Sequence, residues 1–523
     1  MNRRDFLESV SALTLAAAGT AAADTAAGLS GSGFDPTEKS IAELSRAQAE
    51  GHVSAEGLTR SYLARIDQYD RKGPRLGAVL ALNPEALSAA RALDAARRAG
   101  KLQGPLHGIP MLLKDNIETR DPLPTTAGSL ALASARHSED APMAARLRAA
   151  GCIVIGKANL TEWANFRSTR SVSGWSGVGG QTLCPYNLRR NPSGSSAGPA
   201  AGTTANLCAA AIGSETDGSI LAPASINGLV GLKPTVGLVS GVGVVPITAR
   251  QDITGPMTRT VADAALLMAV IAQPGVQWDG IQPLAQMPKG LRLGVLAAPS
   301  SAHPEVVRQS HDWLKLLEHE GFSLVDVAPP PAWATVWDDA EIEVLLYDFK
   351  ADLNAYLARF KGALAVRTLA DIIEFNKQHA AQEMPIFGQE LFEQAEARGP
   401  RTSPAYLQAL HHLEDVADTS GLAAVFAKYK VDALVAPGNG PAELIDDVWG
   451  DRYENSGGWP TMCSAAAVAG YPSLTVPAGF VDGLPVGIHF VAPRFREGRL
   501  LQIGRAFERA RNARRPPQLD ARA

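Results

Sequence analysis

Short, wholly apolar runs separated by amphipathic stretches set the rhythm of this chain. In "SAEGLTRSYLARIDQYD", Ser54 is placed to cap a helix, and Leu58, Tyr62, Ile66 and Tyr69 recur at helical spacing behind it. "PEALSAARALDAARRAG" predicts a second helix, stopped at Gly100. The pattern then changes. Ile109 to Leu113 in "GIPMLLKDN" is apolar without alternation, which predicts a strand buried on both faces. "APMAARLRAAG" reads as a helix, "CIVIG" as another buried strand and "NLTEWANF" as a helix. Beyond about residue 290 come "LRLGVLA" (strand), "VVRQSHDWLKLLEHEG" (helix), and "VDALVAP", "YPSLTVPAGF" and "VGIHFVA" (strands). Helices alternating with fully apolar strands predict an α/β fold whose sheet is covered by helices on both faces. No Pro/Ser/Gly-rich linker divides the chain, so one large domain is expected.

The segment 174–243 has a different texture. It holds 14 glycines in 70 residues, against 49 in all 523. Glycine lets backbone approach backbone or ligand and permits positive φ. Apolar stretches such as "LCAAAIG" and "INGLVGL" thread the segment and must be buried. It therefore reads as a site and not as a flexible linker. Isolated hydroxyls stand in it twice: Ser195 and Ser196 in "NPSGSSAGPAAG", and Ser219 in "SETDGSILAP".

Charge adds little. The net charge of −4 and a pI near 6.2 give no attraction to nucleic acid or to an acidic membrane, and neither is expected as a partner. The N-terminus departs from ordinary composition. Arg3 and Arg4 precede an Ala-rich apolar run and Ala21-Ala22-Ala23, the pattern of an export signal over residues 1–30; "RRDFL" suits the twin-arginine route. The run is too short for a stable membrane span, so an exported, periplasmic or secreted protein is expected. The cysteines Cys152, Cys184, Cys208 and Cys463 form no C-x-x-C. Cys152 and Cys208 lie in apolar runs and read as core thiols, with a disulfide left open.

Several motif resemblances fail on context. Gly151 to Lys157 has P-loop spacing, but Ala158 replaces the hydroxyl and the intervening residues are apolar. Gly194-Ser195-Ser196-Ala197-Gly198 matches a nucleophile elbow centred on Ser196, with Asp432 and His489 as the available partners; the preceding "NLRRNPS" is a poor strand. The histidines show no metal-binding spacing, and His107 in "GPLHGIP" reads as structural. No metal or other cofactor is implied.

A serine can also be activated by a neutral lysine, provided that burial keeps the amine uncharged. Lys114 ends an apolar run, where a strand brings its amine to the edge of a core. By itself that position suits a lysine reaching for water equally well.

"GIPMLLKDN", "GSSAG", "ETDGSILAPASINGLVGLKPTVG" and "AGYPSLTVPAGFVDGLPVGIHF" resemble the amidase signature family, in that family's order and across most of residues 31–517. The resemblance implies a Ser-cisSer-Lys triad: Lys114 as base, Ser195 as relay in a cis peptide, and Ser219, 24 residues later, as nucleophile. It further implies an oxyanion hole from the amides of Thr216, Asp217, Gly218 and Ser219, and a supporting role for Ser196. Leu221 stands where many members carry an arginine that can hold a substrate carboxylate, which disfavours small acidic amides. "TEWANFR", "GWSGVGGQT", "SETDGSI" and "FGQELFEQA" look closest to the bacterial peptide amidases of the family. That likeness implies release of ammonia from C-terminal carboxamides of peptides. A general aliphatic or aryl amidase is the alternative; a glutamine-hydrolysing amidotransferase subunit or a non-catalytic binding protein is a more distant one. The expected partner is a small-molecule or short peptide amide, with the protein a monomer or homodimer. Asp217 is either a substrate anchor or a cap on its turn. Residues 340–400 are expected to pack over the cleft.

Overall fold

The computed structural model describes residues 34–520, except 283, 285–289, 299–301, 335–336, 361–363 and 452–460. The export signal expected over residues 1–30 lies outside the described residues. Thirteen strands are described. In chain order they are β1 Val79–Leu82, β2 Ile109–Lys114, β3 Cys152–Ala158, β4 Trp175–Ser176, β5 Gly180–Gln181, β6 Ala210–Glu215, β7 Val230–Lys233, β8 Ile253–Thr258, β9 Arg292–Leu296, β10 Ser323–Val327, β11 Ala433–Pro437, β12 Ser473–Val481 and β13 Leu484–Val491. Eleven of them form one mixed sheet in the order β1-β3-β2-β6-β8-β7-β12-β13-β11-β9-β10, while β4 and β5 pair separately.

The apolar runs are continuous because the sheet is covered on both faces. On β11, Ala433 and Val435 pack into one core cluster and Leu434 and Ala436 into another. Alternate side chains on a strand point to opposite faces, so neither face of this strand reaches water. Helices Val261–Ile271 and Glu497–Arg511 pack on each other and against β8 and β12. Helix Leu221–Ile226 packs against β7, β12 and β13. The predicted helix start at Ser54 is observed, with the serine side chain accepting from the Gly57 amide. Leu58, Tyr62, Ile66 and Tyr69 are all buried.

One sequence expectation holds and one fails. "CIVIG" and the following Lys157 form β3, so the P-loop spacing is a buried strand. "NLTEWANF" is not a regular helix. Only a short turn forms over Glu162–Asn165, with Trp163 and Ala164 at φ of 51° and 54°. Tertiary bonds override its periodicity. The Trp163 amide donates to Ala127 O, and the buried Glu162 carboxylate is taken by Arg167 and by the Gly177 amide. Arg167, fully buried, also binds the carbonyls of Glu383, Phe387 and Gly388, which ties this segment to the helical region beyond residue 337.

That region packs over the open side of the core. Helix Trp337–Ala358 and helices Leu369–Gln378 and Glu390–Glu396 form a third apolar cluster with Leu132, Trp163, Phe166 and Ile247. No helix among the described residues is long and apolar enough to cross a membrane. The four cysteines are buried and form no disulfide. His107 is buried, with its ring against Leu93 O and the Gln103 amide, as expected of a structural histidine.

Candidate active site

The parallel neighbours β2 and β6 pair Leu113 with Ile212, so both strands end at the same edge. Lys114 closes β2 and reaches across to the end of β6. Its Nζ lies 2.7 Å from Ser195 Oγ, 2.9 Å from Ser214 Oγ and 3.1 Å from Ser214 O. The side chain is fully buried, and burial pushes its amine down to about 7, against smaller upward pulls from Asp252 and Glu215. Near neutral pH a large fraction of the amine is therefore uncharged. A neutral amine has two N–H donors and one lone pair. Ser214 O only accepts and takes one N–H from the lysine, and Ser214 Oγ, which also accepts from Asn116 Nδ2 at 2.9 Å, takes the second. The lone pair then faces Ser195, the group from which a proton can come.

Ser195 follows a cis peptide bond from Gly194 and is fully buried. Ser196 is also buried. Its Oγ donates to Ser214 O at 3.0 Å and accepts from the Ser214 amide at 3.2 Å, and its own amide donates to Ser219 O. It thus ties the Ser195 segment to both β6 and the next turn. Gly213 permits this approach: a Cβ there would lie 2.8 Å from Ser196 Oγ.

Ser219 sits in the tight turn between β6 and helix Leu221–Ile226. Gly218 before it has φ of 78°, which side chains rarely adopt. Glu215 fixes the turn from inside. Its Oε2 accepts from the amides of Ile220 (2.7 Å) and Leu221 (3.0 Å). Burial raises its carboxyl, while the Lys233 charge and the amides of Leu221, Ile220 and Gly218 pull the other way. Lys233 is itself fully buried and pushed down to about 8 by burial. Thr216 donates its hydroxyl to Asp252 at 2.6 Å, and the amides of Ile247 and Thr248 hold the other Asp252 oxygen; burial raises this carboxyl to about 7.

Thr216, Asp217, Gly218 and Ser219 line a cavity of about 440 Å³, together with Ala164–Phe166, Glu341, Leu345 and Asn439. The expectation that residues 340–400 reach the cleft holds through Glu341, Ile342 and Leu345. No lysine or arginine among the described residues lines the cavity. Leu221 does not line it either; it packs with Leu434, Met462 and Cys463.

The structure therefore joins Lys114 to Ser195 directly and places Ser219 at the cavity. Among the described residues no hydrogen bond links the Ser219 hydroxyl to Ser195. The elbow reading finds no support. His489 is buried beside Cys463 Sγ at 3.4 Å, Asp432 pairs with Arg499 at 3.3 Å, and Ser196 is bonded to Ser214. Sequence reasoning missed Ser214, Asn116, Glu215, Asp252 and Asn439. Asn116, Ser214 and Glu215 lie inside or beside recognised motifs, but only the turn geometry shows what they hold.

A family model described as Amidase matches residues 57–501, and the chain belongs to that family, the amidase signature hydrolases, which act on carbon–nitrogen bonds. A probable amidase of Arabidopsis thaliana is 38% identical over 93% of this chain and 93% of its own length. A glutamyl-tRNA(Gln) amidotransferase subunit from Myxococcus xanthus is 34% identical, covering 90% of this chain and 97% of that one. Among solved structures, native peptide amidase from Stenotrophomonas maltophilia aligns with a TM-score of 0.84 and 44% identity over 92% of this chain and 99% of that one. The peptide amidase PAM bound to the competitive inhibitor chymostatin aligns at 0.86 and 45%, over 93% and 100%.

Proposed function

We propose that this amidase removes the C-terminal carboxamide of peptides as ammonia, using Ser219 as nucleophile, Ser195 as relay and Lys114 as base. The observation that carries the chemistry is the 2.7 Å contact between Ser195 and a fully buried Lys114, whose amine burial pushes down to about 7. Ser219 attacks the carbonyl carbon and gives its proton to Ser195, whose own proton passes to the Lys114 lone pair. The Ser219 hydroxyl turns toward Ser195 for this step; catalytic hydrogen bonds frequently tighten only with substrate in place. The negative oxygen faces the amides of Thr216, Asp217, Gly218 and Ser219, where a preorganised donor contributes about 3 kcal/mol. The same relay returns the proton to the leaving nitrogen, ammonia departs, and water then hydrolyses the acyl-serine with the relay as base.

The peptide carboxamide is favoured by the likeness to peptide amidase, which at 44–45% identity exceeds the 34% of the amidotransferase subunit. The opening twin-arginine pattern supports export of the folded enzyme.

The decisive assay is ammonia release from a blocked dipeptide amide. The expected result is stoichiometric ammonia with the internal peptide bond intact. Ammonia only from aryl or aliphatic amides overturns the peptide reading and leaves the triad standing.

The pH profile tests the base. Lys114 must be unprotonated to act, and its pKa is lowered to about 7. kcat/KM should therefore rise tenfold per pH unit below about 7 and level off above it. Steady-state rates between about pH 5 and pH 10 check this, and a rise that continues toward the ordinary lysine range of about 10.4 counts against a neutral Lys114.

A further inference from the structure

Asn439 stands two residues beyond the end of β11 and lines the cavity beside Asp217, Gly218 and Ser219. Its exposure is 4 %, and its Oδ1 has no hydrogen-bond partner. An amide oxygen buried in this way without a donor destabilises a fold. On the wall of a reaction cavity, such an acceptor is a place where a ligand N–H completes the bond.

We infer that Asn439 binds the substrate by accepting a hydrogen bond from the backbone N–H of the residue that carries the scissile carboxamide. This rests on the peptide-amide reading above. Near its reacting carbonyl a peptide amide offers two kinds of donor: the leaving NH2, and the backbone N–H on the other side of the carbonyl carbon. The leaving nitrogen has to face Lys114 and Ser195 to receive its proton. Lys114 lies on β2, and Asn439 follows β11, six strands further along the sheet. Asn439 lines the cavity, whereas Lys114 and Ser195, toward which the leaving nitrogen turns, lie behind its lining, so the donor left for Asn439 is the backbone N–H. A simple aliphatic or aryl amide lacks this group and leaves the Asn439 oxygen bare. The residue therefore sets a preference for peptidyl carboxamides over plain ones.

The test compares Asn439→Ala with the wild type on two substrates, a blocked dipeptide amide and its analogue in which an ester oxygen replaces that one backbone N–H. The expected result is a fall of about 10- to 100-fold in kcat/KM on the dipeptide amide. On the ester analogue, wild type and variant should be equally slow. The melting temperature of Asn439→Ala should be unchanged or higher, because the substitution removes an unsatisfied oxygen without breaking a bond. Equal losses on both substrates, a melting temperature lowered by several degrees, or full activity on the dipeptide amide overturns the assignment. A wild type that hydrolyses dipeptide amides with no effect of Asn439→Ala refutes this inference alone, whereas a wild type inert toward dipeptide amides refutes the peptide reading and this inference with it.

Discussion

Ser219→Ala is expected to reduce amide turnover by roughly 10⁴- to 10⁶-fold while the protein stays folded. The loss is large because the hydroxyl supplies the bond-forming electron pair, and no neighbouring group replaces it. The fold should survive because the Ser219 hydroxyl makes no hydrogen bond among the described residues, so its removal strands no buried partner. The turn itself is held by Glu215 through the Ile220 and Leu221 amides, which the substitution leaves in place. Ammonia release and a melting curve on the same preparation check both halves. Retained turnover removes Ser219 from the chemistry. Ser196→Ala provides the contrast: it takes a hydrogen-bond partner from the Ser214 amide and one from the Ser214 carbonyl, which keeps Lys114, at a cost of about 1 kcal/mol, but leaves the attacking hydroxyl intact. A stability loss with substantial remaining activity is expected there.

Lys114→Met should be nearly as damaging to turnover. Methionine fills a similar volume without an amine, so Ser195 loses its proton acceptor and the leaving nitrogen its proton source. Residues that act as one relay are non-additive. The double variant Ser219→Ala/Lys114→Met should therefore be scarcely slower than either single one. Rate constants for the three variants decide this. A loss of only a few-fold in Lys114→Met points to a second base, and losses that multiply in the double variant break the relay.

The sequence carried much of this arrangement because burial on both faces leaves a readable trace. Runs such as "GIPMLL" and "VDALVAP" lack alternation for the reason seen on β11, where successive side chains enter different core clusters. The motifs that resemble the family singled out Lys114, Ser195 and Ser219, of which the fold brings the first two into contact and sets the third on a cavity. What stayed hidden depended on contacts between distant segments. "NLTEWANF" has helical periodicity, but Trp163 and Ala164 are held left-handed by bonds to Ala127, Arg167 and Gly177 that no local pattern records. Asn439, in "PGNGP", looks like an ordinary turn asparagine, and only the folded cavity shows that its oxygen lacks a donor. Glu215 was visible as a letter in a motif, whereas its grip on the nucleophile turn required the positive φ of Gly218 to bring amides and carboxylate together.

The order of strands has a consequence for how the enzyme comes into being. Lys114 meets Ser214 across 100 residues of chain, and Asn439, just after the much later strand β11, joins Ser219 at the cavity. The ends are also stitched together: Arg514 pairs with Glu38 at 2.8 Å, and Tyr69 donates to Asp520 at 2.5 Å. Contacts between parts so far apart in the chain form slowly, since long loops must close first. A ribosome-bound chain that stops short of β11 carries both serines and the lysine but has an unfinished cleft, and no fragment of it should hydrolyse amides. Catalytic competence is expected only once β11 and the turn that follows it have been made and docked.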